Sequence, residues 1–407
     1  MLAVVAFSLC SLLWTSSSWA DPAINTHEGS IISSRSRWGY DHNAIVTESV
    51  LLRADGSEVV IHQLGGSIDG LSMRVSHHPA LLRVGERVQI DSAVGQSLRG
   101  KRFHQLERIR SRHSDPNQPK ENSTQEFVRA ANADNTPIFW KSGCAFVNTA
   151  VEGSTQIAGD LEFDVIDDVL KSWQDNTRSC SQFELINDGP LDSEVGLDGI
   201  NIIKFRDDRW CRPATDDDPE KCHEEAAAGI TTIFFNNKSS SGLNGSIVDA
   251  DIELNGVNFA FAVDGQSGGT QQCQSDLANT LAHEMGHFLG LSHTCRLANN
   301  PSTDSFGVTI PLCTQETNNP AITDPTMYNF QRCAETKKAT LESDDIAGMC
   351  SIYPSAEHAN ECKRATFDTG GCCSIAGNKG PETPPSGLLA LLLLPFLLLR
   401  RRSQARS

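Results

Sequence analysis

The sequence predicts an α+β protein in which a small all-β domain precedes a larger unit of mixed strands and helices. Two observations carry this. Ile31 to Ile109 contains no cysteine and reads as short β-rich runs, whereas beyond residue 137 apolar spacing alternates between strand and helix periods. Between them, Ser111 to Thr136 is polar, carries Pro116, Pro119, Asn122 and Asn135, and reads as a linker. The boundaries are therefore drawn at 21–115 for the all-β domain, 116–136 for the linker and 137–355 for the α+β domain.

Within the first domain, Val50, Leu51 and Leu52 lead to Asp55-Gly56, and Val59, Val60 and Ile61 follow. An Asp-Gly step between β-rich runs signals a tight hairpin. Gly65-Gly66, Gly70 and Gly85 mark further turns, and a barrel or sandwich is expected. His62, His77 and His78 are read as scattered surface histidines in preference to metal ligands. In the second domain, Ile138-Phe139-Trp140 opens a strand. Phe163, Ile166, Val169, Leu170 and Trp173 recur at helical spacing. Strands are expected at Asn201–Phe205, Ile230–Phe235 and Ile247–Leu254, ahead of a second helix.

A net charge of -17 excludes nucleic acid or anionic lipid as the main partner, since both need a positive field. Val4 to Leu13 followed by Ser18-Trp19-Ala20 reads as an export signal over residues 1–20, although no Lys or Arg precedes it. Ten of the thirteen cysteines fall between Cys144 and Cys362. With no CxxC pair, an even set in an exported chain implies disulfides, whose pairing sequence does not give.

The tail comprises a linker at 356–386 with Cys372 and Cys373, then an apolar run Gly387–Leu399 closed by Arg400-Arg401-Arg402. The run is shorter than the ~20 residues that usually span a bilayer. As a group, the segment at 387–407 and its cysteines resemble tripartite C-terminal sorting signals of bacterial surface proteins, most closely the myxobacterial Cys-containing type. That resemblance implies membrane or cell-surface anchoring, and an exported, cell-surface or extracellular location.

The stretch with most chemistry runs from Thr280 to His293, TLAHEMGHFLGLSH. Leu281, Met285, Phe288 and Leu289 form an apolar helical face. His283 and His287, four residues apart, project from one side, one turn above the other. Two imidazoles so placed can grip one Zn²⁺, and Glu284 beside the first can reach a water there without being a ligand. Gly290 stands where the helix must end in a left-handed turn that brings back His293 as third ligand. Three neutral ligands leave a fourth position for water, and Glu284 would be its general base.

With Gly290 and His293 in place, the sequence resembles the metzincin zinc metallopeptidases, whose signature is HExxHxxGxxH followed by a Met-turn. ITDPTMY at Ile322–Tyr328 looks like that turn, with Met327 beneath the metal. SDDIAG at Ser343–Gly348 and then Ile352-Tyr353-Pro354 look like the C-terminal helix of the matrixin branch. Locally, Ser343 can cap that helix, and Asp344 and Asp345 suit its positive end.

The resemblance covers Ile138 to Pro354 and implies a twisted mixed sheet with an active-site helix and a C-terminal helix. It also implies that Gly245–Asn255 is the edge strand rimming the cleft, and that Tyr328 to Thr340 walls a pocket. Protein or peptide substrates and endopeptidase action follow. A zinc-binding surface adhesin or binding protein without turnover is the rival.

Two features depart from the family pattern: no PRCGxxD-like segment precedes the domain, and between the linker and Pro354 the only histidine outside the motif is His223. Asp216-Asp217-Asp218 and Asp249-x-Asp251-x-Glu253 carry the oxygen ligands that Ca²⁺ takes, with solvated acidic loops the preferred reading.

Overall fold

A computed structural model describes residues 24–113, 127–238, 242–263, 273–297, 303–305, 308–355 and 362–364. The export signal, most of the polar linker, Cys372, Cys373 and the apolar-plus-arginine tail lie outside the described residues. No described helix is long and apolar enough to cross a membrane. The fold is mixed α+β, with more strands than helices.

The N-terminal region holds β1 (Ile24–Gly39), β2 (Ala44–Arg53), β3 (Glu58–Leu64), β4 (Gly66–Ile68), β5 (Leu71–Val75), β6 (Arg87–Gln96) and β7 (Arg102–His113). The Asp55-Gly56 turn is present: Gly56 takes a φ of 80°, and Arg53 N–H donates to Ser57 C=O at 2.9 Å. β1, β2, β3, β7 and β6 close into a barrel around Ile31, Leu51, Val59, Ile61, Val88, Ile90 and Leu106.

β4 and β5 leave that barrel. They complete a seven-stranded sheet formed with β8 (Cys144–Ala150), β9 (Glu184–Leu191), β10 (Ile202–Arg206), β11 (Gly229–Asn236) and β12 (Ile247–Asn255). Its order is β9-β8-β10-β12-β11-β5-β4. β11 is antiparallel to both β12 and β5, while β10 pairs parallel with β8 and β12.

Two sequence expectations change here. The all-β region drawn at 21–115 is not self-contained. Met73, Val75, Ile45 and Leu64 share one core with Trp210, Ile230, Phe234 and Val248 from beyond the linker. Nor is Gly245–Asn255 an edge. β12 has a neighbour on each side, and the strand whose outer side takes β5 is β11. Both segments read as β runs in the sequence, GITTIFFN and IVDADIELN, and neither pattern tells which of them lies outermost.

Helices α1 (Leu161–Thr177) and α2 (Leu277–Phe288) pack on the sheet, and α3 (Ser343–Ile352) packs against α1. Trp140, Trp173, Leu281, Met285, Phe288, Met349 and Tyr353 fill the main core between them and the sheet. Ile138–Trp140 forms a single bridge at Phe139 to Ser246 in place of the expected strand. At α3 the cap is Glu342, one residue before Ser343. Glu342 and Asp345 form the reciprocal capping box, so Ser343 is the first helical residue.

All ten cysteines from Cys144 to Cys362 are paired: Cys144–Cys362, Cys180–Cys350, Cys211–Cys222, Cys273–Cys333 and Cys295–Cys313. The first two close loops of 218 and 170 residues and tie the C-terminal part of the chain to β8 and to the end of α1. Cross-links over long loops constrain the unfolded chain most.

Asp249, Asp251 and Glu253 are not solvated, each being at most 1% exposed. Asp249 accepts from the N–H groups of Asp198 and Gly199, and Asp251 from those of Gly196 and Ile202. Burial and neighbouring carboxylates push both acids well above the usual range. Glu253 pairs with Arg206 and Arg212. Asp216 and Asp217 meet Arg99 at the surface, and Asp218 is buried against Arg37. Facing donors in this way, these carboxylates do not gather into a group of three or more metal-ligating side chains among the described residues.

Candidate metal centre

Helix α2 presents the motif. Asp276 caps it, its carboxylate accepting from Asn279 N–H at 2.8 Å. At the other end Gly290 has a φ of 92°, and a Cβ there would lie 2.4 Å from the Ile138 carbonyl oxygen. Only glycine meets both conditions, so the turn that returns the chain to His293 depends on it.

The three imidazoles converge. His283 Nε2 lies 3.2 Å from His293 Nε2, and His287 Nε2 lies 3.0 Å from the same atom. Each Nδ1 is engaged behind: His283 with the Thr326 carbonyl at 2.6 Å, His287 with the Leu291 carbonyl at 3.0 Å, His293 with the Asn329 carboxamide at 2.9 Å. A carbonyl accepting from Nδ1–H fixes the tautomer with its Nε2 lone pair facing inward, which is what a metal requires.

The Asn329 carboxamide lies between His293 on one side and Cys295 and Cys313 on the other. Those sulfurs form a disulfide and carry no proton. The amide can therefore set its oxygen as acceptor on His293 Nδ1–H without losing a hydrogen bond.

The donor set fits zinc. Nitrogens at ~2.0–2.1 Å from a tetrahedral ion stand ~3.3 Å apart, close to the separations here. Burial, reinforced for His283 and His293 by neighbouring imidazoles and Lys338, holds their pKa values well below the ordinary histidine value. Burial brings His287 down to about 4, with nearby Glu284 opposing. All three imidazoles are neutral at physiological pH.

Met327 sits under this group, 2% exposed. Its Sδ packs so closely on Gly286 that a Cβ there would clash, so the glycine in HEMGH is what lets the turn approach the helix. Asp345 of α3 accepts from Thr326 N–H at 2.9 Å, and the Thr326 carbonyl holds His283. The C-terminal helix thus steadies the first imidazole through the Met327 turn. The Tyr328–Thr340 segment lies along the first half of α2, where Asn279 accepts from Lys338 N–H and donates to Gln331.

Glu284 is buried over Gly229, where a Cβ would stand 2.8 Å from its Cγ. Its Oε2 accepts from Thr231 Oγ1 at 2.7 Å and Ser76 Oγ at 3.3 Å, while Oε1 faces His77 Nε2 at 3.4 Å. Burial opposes ionisation, yet these partners hold the carboxyl below its usual value. Sequence reasoning missed Thr231, Asn329, Ser76 and above all His77. His77 lies with one ring nitrogen within 4.8 Å of the ligand atoms of His283, His287 and His293.

The surface-histidine reading fails for His62 as well, which is 8% exposed, and for His78, which meets His223 Nδ1 at 3.1 Å. The adjacent pair His77-His78, directly after a short β run, was the available signal.

Comparison of the chain with models of known families and with curated proteins finds no match.

Proposed function

We propose that the chain is a zinc-dependent endopeptidase of the matrixin-like metzincin type, with zinc held by His283, His287 and His293 and Glu284 as general base. The observation that supports it most is the convergence of three neutral Nε2 atoms with the buried carboxylate of Glu284 beside them. Bound zinc would polarise the scissile carbonyl and bring the pKa of the attacking water towards ~7.

Glu284, kept ionised by its partners, would take a proton from water and pass it to the leaving amide nitrogen. Thr231 fixes the carboxylate's orientation from β11. The outer side of β11 is paired with β5 from Thr232 to Asn236, and an extended peptide in place of β5 would bind there as an added strand with loose side-chain demands.

One observation favours a second reading. With His77 present the cluster numbers four imidazoles, the closed set of a structural zinc site, as in a surface protein without turnover. Casein or gelatin hydrolysis by the zinc-loaded H77A chain, with and without a chelator, separates the two. Chelator-sensitive hydrolysis supports the endopeptidase. A zinc-replete H77A chain that hydrolyses nothing, even after limited proteolysis between β5 and β6, supports the silent protein.

A further inference from the structure

The stretch from β5 to His78 meets Thr231, Glu284 and the three imidazoles, although it comes from the far side of the polar linker. β5 lies antiparallel along β11, pairing Val75 with Thr232, Met73 with Phe234 and Leu71 with Asn236. It therefore uses the backbone groups that an extended peptide would use. At its end Ser76 locks onto Thr231 twice, donating its N–H to the Thr231 carbonyl at 2.9 Å and accepting Thr231 N–H on Oγ at 2.7 Å.

The chain then turns about a single residue. His77 has a φ of 59°, and His78 N–H closes back on the Ser76 carbonyl at 2.7 Å. A bulky side chain in that region is strained, and such strain persists only where the surroundings impose it. The effect is to point the imidazole into the group of His283, His287 and His293. Its ring centre stands 4.6 Å from that of His293, and Nε2 reaches Glu284. Ser76 and His77 together cover both the metal ligands and the general base.

We propose that Leu71–His77 is a built-in occupant of the peptide-binding cleft. His77 supplies a fourth imidazole to the metal, so that the full chain is latent until this segment is removed. The inference rests on the zinc-endopeptidase reading. A fourth protein ligand closes the position that substrate and water need, and β5 covers the strand edge. The occupant is firmly seated: Met73 and Val75 belong to the core containing Ile230 and Phe234, and Arg74 reaches Ser292 Oγ beside His293 at 3.3 Å.

The test uses the full chain with bound zinc or cobalt(II), beside its H77A and H77Q variants. Metal content is measured first, then the number of imidazole donors by X-ray absorption, the cobalt visible spectrum, and binding of a peptide hydroxamate by calorimetry. Four imidazoles are expected in the wild type and three in the variants, with a shifted cobalt spectrum. Hydroxamate should bind the variants at least ~100-fold more tightly, as when a site open in ~1% of molecules becomes open in all.

The wild-type donor count stands even if a variant folds poorly. Three imidazoles in the wild type, or equal hydroxamate affinity in metal-loaded wild type and variants, overturns the latency while leaving the zinc reading intact. A wild type and variants that all hold no metal overturn both.

Discussion

Two walls face each other across the metal centre, and they are built differently. The helix wall, from Leu277 to His293 with the Met327 turn, is anchored in the largest core. Its imidazoles are fixed from behind by Thr326, Leu291 and Asn329, and its glycines at 286 and 290 are fitted to Met327 and Ile138. The opposite wall, Ser76 and His77, hangs from a strand added to the sheet edge and a strained one-residue turn. Its histidine keeps a side-chain exposure of 15%. A wall of the first kind holds its side chains from several sides at once.

The largest expected effect sharpens the helix wall. In the H77A chain cleaved between β5 and β6, Glu284→Gln should retain zinc and lower casein hydrolysis by ~10²–10⁴-fold, the usual contribution of a general base. Near-normal turnover by the zinc-loaded double variant would remove Glu284 from the chemistry. Next comes the support behind the ligands. Asn329→Leu removes the acceptor for His293 Nδ1–H and should weaken zinc ~10–100-fold in a competition titration against a chelator. An unchanged affinity would mean that His293 needs no partner there.

The helix wall could be read in the sequence because its information is local. His283, Glu284, His287, Gly290 and His293 lie within eleven residues, and helical spacing alone puts two of the imidazoles on one side. The other wall was hidden because Ser76 meets Glu284 across 208 positions of sequence. Which strand lies outermost, and what pairs with it, is decided by tertiary packing. Asp249, Asp251 and Glu253 illustrate the same limit. Their alternation looked like an acidic surface, yet the loop at 196–202 supplies N–H donors that let the two aspartates sit inside.

A smaller effect concerns the seam between the walls. Burial holds His223, beneath His78, at about 3, with neighbouring Glu253 opposing, and burial holds His62 at about 4. Both are depressed below the unfolded value, so between those values and about 6.5 the unfolded chain binds more protons. Their contribution is therefore complete above about pH 6.5 and is lost as pH falls towards 4 and then 3. Thermal melts of the full chain should show Tm falling from pH 6.5 to 4, and an H62L chain should fall less steeply over that interval. An H62L chain whose Tm falls as steeply as the wild type's over that interval would contradict the burial assigned to His62, because the buried Asp249 and Asp251 act equally in both chains.

The most direct measurement is metal content. The purified full chain, loaded with zinc and freed of excess by gel filtration, should carry one zinc per chain by elemental analysis. The H283A/H287A/H293A chain, if folded by circular dichroism, should carry none. A wild type without zinc, or a folded triple variant with a full equivalent, would contradict the account.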